Sequence, residues 1–337
     1  MMWIWIAFIA FVLLMLALDL GVFHRKAHVP TVREAVAWTI AWVVMALLFN
    51  VLVYYLYEHD LFSPSDVARH QQSGTVAATQ FFTGYLVEKS LSADNIFVIA
   101  VIFTYFCVPL REQHRVLFWG IMGAVVLRGV MIGVGAALIQ RFSWIMYVFG
   151  ALLIVTAAKM LVMREDQLDP EDNLLLRLTR RVFPVSGQFH GSRFFVRIDG
   201  RLTATPMLLS LVVVESSDVM FAIDSIPAVF VITQDPFLVF TSNIFAILGL
   251  RSLYFVLAGF IEQFRYLKLS LVLILAYVGV KMLVSHFIPI NHLVSLGVIA
   301  AILTVGILAS IMATKREVRE AESAAGNDSG ADGTPEG

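Results

Sequence analysis

The stretch from Thr203 to Thr233, TATPMLLSLVVVESSDVMFAIDSIPAVFVIT, is long and apolar enough to cross a bilayer, yet it holds Glu215, Asp218 and Asp224. A charged carboxylate at the centre of a membrane helix costs about 2.5–3.5 kcal/mol or more unless it is paired or wetted. Three in one run call for a polytopic helical bundle with a charged interior, and they mark a functional site. Pro227 predicts a bend and frees the carbonyl of Ile223 beside Asp224.

An earlier stretch repeats the pattern: Glu88-Lys-Ser-Leu-Ser-Ala-Asp94-Asn95 lies inside the apolar run Phe81 to Cys107. Glu88 to Asp94 and Asp218 to Asp224 share one spacing, and each second aspartate precedes a small polar residue, Asn95 or Ser225. Arg128 follows the first acidic pair and Arg251 the second, and Lys159-Met-Leu-Val and Lys281-Met-Leu-Val close the two units. The order acid, acid, arginine, lysine therefore occurs twice.

Nine apolar segments can be drawn, near 2–22, 35–57, 79–107, 115–139, 143–163, 204–233, 237–260, 268–287 and 292–314. The opening run is too long for a signal-peptide core and reads as a retained span. With the N-terminus outside, the inner segments carry seventeen Lys and Arg and the outer ones only Arg69 and Arg141. That asymmetry sets the orientation and puts the C-terminus inside. Each charged unit holds three spans, 79–163 and 204–287, so the second enters from the opposite side, an inverted repeat of the kind found in secondary transporters. Lys159 then falls near the inner end of its span and Lys281 near the outer end of its own.

The transmembrane domain is expected over 1–314, with an inner loop at 164–203 and a disordered acidic tail at 315–337. Within the loop, Leu174 to Phe183 reads as a short basic amphipathic helix, and Phe194 to Thr203 as a hairpin on the Asp199-Gly200 turn. Neither carries an obvious chemical group. The single cysteine, Cys107, excludes a disulfide framework and a thiolate-rich metal site.

Asp19, Glu88, Asp94, Glu215, Asp218 and Asp224 are set against Lys89, Arg128, Lys159, Arg251 and Lys281 inside the membrane. They could simply pair and lock helices together. Clustering argues for more: the acids concentrate on the first span of each unit, and Glu215 and Asp218 share a helical face, where like charges repel unless a cation intervenes. Carboxylates, the amides of Asn95 and Asn243, hydroxyls and carbonyls are hard oxygen donors suited to Mn²⁺, Mg²⁺ or Ca²⁺. Asn243 reads equally as helix glue. Arg128 and Arg251 are expected as counter-charges while the cation is absent, and Lys159 and Lys281 as snorkelling or pairing groups. Asp94 and Asp224 are expected to meet near the midplane, with Glu88, Glu215 and Asp218 around them.

These residues are also those by which the chain resembles the TerC family of membrane proteins, named for tellurium resistance, in its Alx-like branch. The resemblance runs through Leu18-Asp-Leu-Gly-Val-Phe23, Glu88 to Asn95, Phe194-Phe-Val-Arg, Val214 to Ala228 and Thr241 to Phe255. It implies a metal-ion transporter of the inner membrane, linked most often to Mn²⁺ export, and carries the family's acids onto Glu88, Asp94, Glu215, Asp218 and Asp224.

The expected function is export of a divalent cation by alternating access, with protons, the metal and the lipid bilayer as partners and neither cofactor nor nucleic acid. Oligomeric state is open. No Gly-x-Gly-Asp or His-Glu-x-x-His motif supports an enzyme. The alternative is a membrane scaffold or stress-resistance protein whose buried charges are structural.

Overall fold

A computed structural model describes residues 2–21, 31–59, 72–142, 144–162, 173–257, 267–284 and 291–328. Five helices come first: α1 (Met2–Gly21), α2 (Val32–Glu58), α3 (Gly74–Tyr105), α4 (Leu110–Arg141) and α5 (Ile145–Val162). A short helix α6 (Leu174–Val182) and a two-stranded hairpin, β1 (Phe195–Ile198) and β2 (Arg201–Ala204), lead into α7 (Pro206–Ile232). Then come α8 (Pro236–Ile247), α9 (Leu250–Leu257), α10 (Leu267–Val284) and α11 (His292–Asp328).

Sequence signals explain the element ends. Thr31 and Glu34 form a reciprocal capping box that starts α2. Asp235 caps α8, with Pro236 in its first turn, and also accepts the Tyr57 hydroxyl at 2.6 Å, fastening α8 to α2. The hairpin pairs antiparallel, Phe195 with Ala204 and Ile198 with Arg201, around Asp199 and Gly200. Both turn residues have positive φ, 50° and 75°, as the Asp-Gly pair foretells.

Six helices among the described residues are long and apolar enough to cross a membrane: 32–58, 110–141, 145–162, 206–232, 236–256 and 292–310. Two shorter apolar helices lie at 3–17 and 269–284. All nine expected segments contain helix, so the chain is a helical multi-pass membrane protein, although α3, which holds Glu88, Lys89 and Asp94, is not among the six. Outward-facing Val126, Val130 and Val134 on α4 illustrate the lipid-facing stripe, each more than half exposed at successive turns.

Two expectations change. The segment expected at 237–260 is one candidate span but not one continuous helix: α8 stops at Ile247 and α9 begins at Leu250, with Gly249 at φ +82° between them. The Trp42 ring of α2 lies 2.7 Å from where a Cβ on Gly249 would stand, so glycine serves both the turn and the contact. α11 continues to Asp328, well into the segment expected as a disordered tail. Lys315-Arg-Glu-Val-Arg-Glu-Ala-Glu is made of good helix formers with opposite charges three and four apart, which extends the helix. Residues 329–337 of the tail and 163–172 of the inner loop lie outside the described residues.

Packing is crossed between the two charged units. α3 packs on α8, α4 packs on α7, α3 meets α7, and α5 lies along α10. Gly150 and Gly279 let those last two approach until each glycine's missing Cβ would stand 3.0–3.2 Å from the other's carbonyl. An aromatic cluster of Trp5, Phe8, Phe49, Phe81, Phe237 and Phe245 joins α1, α2, α3 and α8 on one flank.

Candidate functional site

The crossed packing brings four helices around one side chain. Arg128 of α4 is fully buried. Its Nη1 donates to Glu88 Oε1 of α3 and, at 2.9 Å, to Asn243 Oδ1 of α8. Its Nη2 donates to Asp218 Oδ1 of α7 at 3.4 Å. Asn243 is oriented for this by its own Nδ2, which donates to the Val239 carbonyl at 3.0 Å. Its amide oxygen thus serves the arginine. A guanidinium suits the position because its planar fork can address several acceptors at once.

Unpartnered groups remain on both sides of the network, with Arg128 Nε among the donors. Glu88 Oε2 and Asp218 Oδ2 are buried without a hydrogen-bond partner, as is Oε2 of Glu215. Glu215 reaches toward α4, where its carboxyl fills the place a Cβ on Gly123 would take. Gly123 therefore opens the space the carboxyl occupies, five residues before Arg128. A cavity of about 30 Å³, room for about two waters, lies beside the network. Asn95 of α3 and Ser217 and Asp218 of α7 give it polar walls; Leu117, Gly120 and Ala124 of α4 and Ile247 and Leu250 at the α8–α9 break give apolar ones. Asn95 is buried, and its Oδ1 has no partner.

Asp224 accepts from the Thr156 hydroxyl of α5 at 2.8 Å and is half-buried. The side chains of Asp94 and Asp19 lie outside the described residues, and the expected meeting of Asp94 with Asp224 lies there too. Lys89 donates to the Ala246 carbonyl at 3.2 Å, at the end of α8 where the break leaves carbonyls without helical partners. Arg251 is buried in α9. Lys281 is buried and donates to Ser295 Oγ of α11 at 2.7 Å, whereas Lys159 is exposed. Among the described residues, no three His, Cys, Asp or Glu side chains are grouped to hold a metal ion, so Arg128 is the cation around which Glu88 and Asp218 gather.

Sequence reasoning missed Gly123, Thr156 and the contact of Lys89 with the carbonyl at the break. Gly123 carried a signal, since Gly120 and Gly123 are small residues one turn apart on a charged helix. A threonine in an apolar run points nowhere until its neighbour helix is known.

A bundle with this interior, a charged network between lipid-facing helices, defines an integral membrane protein with a buried polar site. The chain belongs to the integral membrane protein TerC family, whose model matches residues 73–318 and so spans both charged units. A Myxococcus xanthus protein named "Uncharacterized membrane protein STKORF319" is 49% identical over 312 residues, covering 93% of each chain. The Escherichia coli K12 protein named "Putative membrane-bound redox modulator Alx" is 46% identical over 302 residues, 89% of this chain and 91% of its own. A Rickettsia bellii protein named "Uncharacterized membrane protein" is 39% identical over 308 residues, 91% of this chain and 97% of its own. No solved structure matches the chain.

Proposed function

We propose that the chain is a secondary transporter that exports a divalent metal ion, Mn²⁺ first among the hard cations, across the inner membrane, in exchange for protons. One observation carries the reading: Glu88 and Asp218, which hold Arg128, each keep a buried acceptor oxygen unpartnered, and so do Glu215 beside Gly123 and Asn95 in the cavity wall. Buried acceptors without donors are costly, and a transported cation would satisfy them. Arg128 would hold the acids in the empty state and give way when the ion arrives.

The same reading takes α1, α3 and α10 as further spans, nine in all, with the N-terminus outside and the C-terminus inside. The crossed packing supports the inverted repeat, because α3 on α8 and α4 on α7 become one contact seen twice when the units exchange. Asp94, Asp224 and Asn243 belong to the proposed path as ion ligands, with Arg251, Lys159 and Lys281 as counter-charges.

A second reading is a scaffold whose charges are structural, and the ion pairs of Arg128 with Glu88 and Asp218 favour it. Redox modulation, the wording used for the E. coli relative, has no dithiol to work with in this chain, where Cys107 is the single cysteine.

Cellular metal content separates the readings. Cells making Asp218→Asn, Glu88→Gln, Asp94→Asn or Asp224→Asn protein at wild-type abundance should retain Mn²⁺ like cells without the protein. Wild-type efflux in the Asp218 and Glu88 variants would remove the transport site from this network, and loss of the protein itself in each would favour the scaffold.

A further inference from the structure

The helix α6 packs antiparallel along the first turns of α7 and is fastened differently at its two ends. At the C-terminal end the ties are backbone ones: Ser186 N donates to the Ala204 carbonyl and Ala204 N to the Pro184 carbonyl, each at 2.8 Å. The Phe183 ring, 5.3 Å from that of Phe195 in β1, adds to this anchor. At the N-terminal end the tie to α7 is made by a side chain. Asn173 Nδ2 donates to Ser216 Oγ at 2.8 Å, while Asn173 Oδ1 caps α6 by accepting from Leu175 N and Leu176 N. One amide thus starts the helix and joins it to α7.

The end tied by a side chain is the one beside the site. Ser216 lies between Glu215 and Ser217, and Ser217 and Asp218 are polar walls of the cavity next to Arg128. Leu176 is the buried residue of α6, and it belongs to one apolar core with Ile99, Leu117, Val214 and Leu250. Those four residues also line the cavity. Leu174, Leu175 and Leu178 are exposed, so of the leucines of α6 one alone is committed to the cavity wall.

We propose that α6 is a lid on the cavity beside Arg128, with Leu176 as its plug, the Asn173–Ser216 pair as its latch and residues 183–186 as its pivot. A segment held by backbone bonds at one end and by side chains at the other opens at the side-chain end, because those ties break without unfolding a helix or a strand. Opening takes one leucine out of the core. It also lets water reach Asn95 and Asp218, whose unpartnered oxygens then gain donors. In the transport reading, on which this step rests, the opening is where the metal ion enters from the inner side.

The test follows alkylation of a buried thiol by a hydrophilic maleimide, in the full chain in detergent. Cys107→Ser removes the exposed native thiol, and Ala124→Cys places a new one in the cavity wall. Ala136→Cys, buried further along the same helix, is the control for general loosening. Leu176→Ala should speed labelling at position 124 about tenfold or more and Ser216→Ala about threefold, since each weakens one tie of the lid, with labelling at position 136 unchanged. Equal acceleration at both positions, or none at position 124, overturns the lid. Export of Mn²⁺ is measured separately in proteoliposomes, on the Cys107→Ser chain with Asn173→Cys and Ser216→Cys joined by a short reducible cross-linker. Export should stop on cross-linking and return on reduction, and export through an intact cross-link overturns the lid as the ion's entrance. Faster labelling at position 124 in a protein that exports no metal keeps the lid and removes the transport reading; unchanged labelling in a protein that does export removes the lid alone.

Discussion

α4 and the α8–α9 pair follow the two acid-bearing helices, and each carries one buried arginine, but they are built differently. Arg128 sits deep in a continuous helix whose interior carbonyls are taken by the helix itself, so α4 offers the site side chains alone. Arg251 is the second residue of α9, just past Gly249, where the chain turns and a carbonyl of α8 is free to receive Lys89. One unit supplies a fixed guanidinium and the other supplies backbone acceptors near the cavity wall. Two copies of a sequence pattern have become two different tools, and a single left-handed glycine marks where they diverge.

Removing Arg128 should break the comparison most severely. Arg128→Met strands Glu88 and Asp218 in the interior and should cost about 3–5 kcal/mol, read as lost thermal stability in detergent. Adding Glu88→Gln and Asp218→Asn should recover most of that, because the charges that needed the arginine are then gone. Arg251→Met should cost less, since a residue beside a break can shift with its backbone. Equal losses would mean that both arginines are equally fixed and that the break is incidental.

The break itself gives the next effect. Gly249→Ala forces a side chain into left-handed backbone, about 1–2 kcal/mol, and drives a Cβ onto Trp42, so a loss of roughly 2–4 kcal/mol is expected. Gly133→Ala on α4 is the control: nothing lies within 4 Å of the new Cβ, and alanine favours helix over glycine by about 1 kcal/mol. Stability should fall in the first and hold or rise in the second. A neutral Gly249→Ala would show a turn that adapts without glycine.

Much of this was legible beforehand because it depends on local pattern. The amphipathic α6, the Asp199-Gly200 hairpin and the two acid-bearing helices follow from spacing and turn chemistry, and Arg128 was expected as a counter-charge because a lone buried cation needs acids. The choice of partners was not legible. That Arg128 crosses to Glu88, Asp218 and Asn243 on three other helices depends on how the units interlock, and no window of sequence contains that. The span expected at 237–260 hid its break because Leu248-Gly249-Leu250 is as apolar as a helix interior, and only the positive φ separates a punctuation glycine from a packing one. The tail is a different case: charge and small residues over 315–337 point to disorder, while good helix formers lie in the same stretch, and α11 runs on to Asp328.

The closing lysines give the smallest and most discriminating contrast. Lys159 and Lys281 begin identical tetrapeptides, yet the first is exposed and the second is buried against Ser295 because α11 covers α10 and no described helix plays that part for α5. Lys159→Met should therefore change stability by no more than about 0.5 kcal/mol. For Lys281 the order of two variants matters more than the size of either. Ser295→Ala leaves the buried ammonium without the acceptor it has among the described residues and should cost about 1–3 kcal/mol. Lys281→Met should cost less, because Ser295 still receives the Tyr277 hydroxyl at 3.2 Å and donates to the Asn291 carbonyl at 3.3 Å. The double variant should then cost less than the two single losses added together, since the hydroxyl has no ammonium left to serve and only its bonds with Tyr277 and Asn291 remain to be lost. If Lys281→Met is instead the more damaging change, the lysine holds α10 by a contact other than Ser295, and burial by α11 is not what sets the two lysines apart.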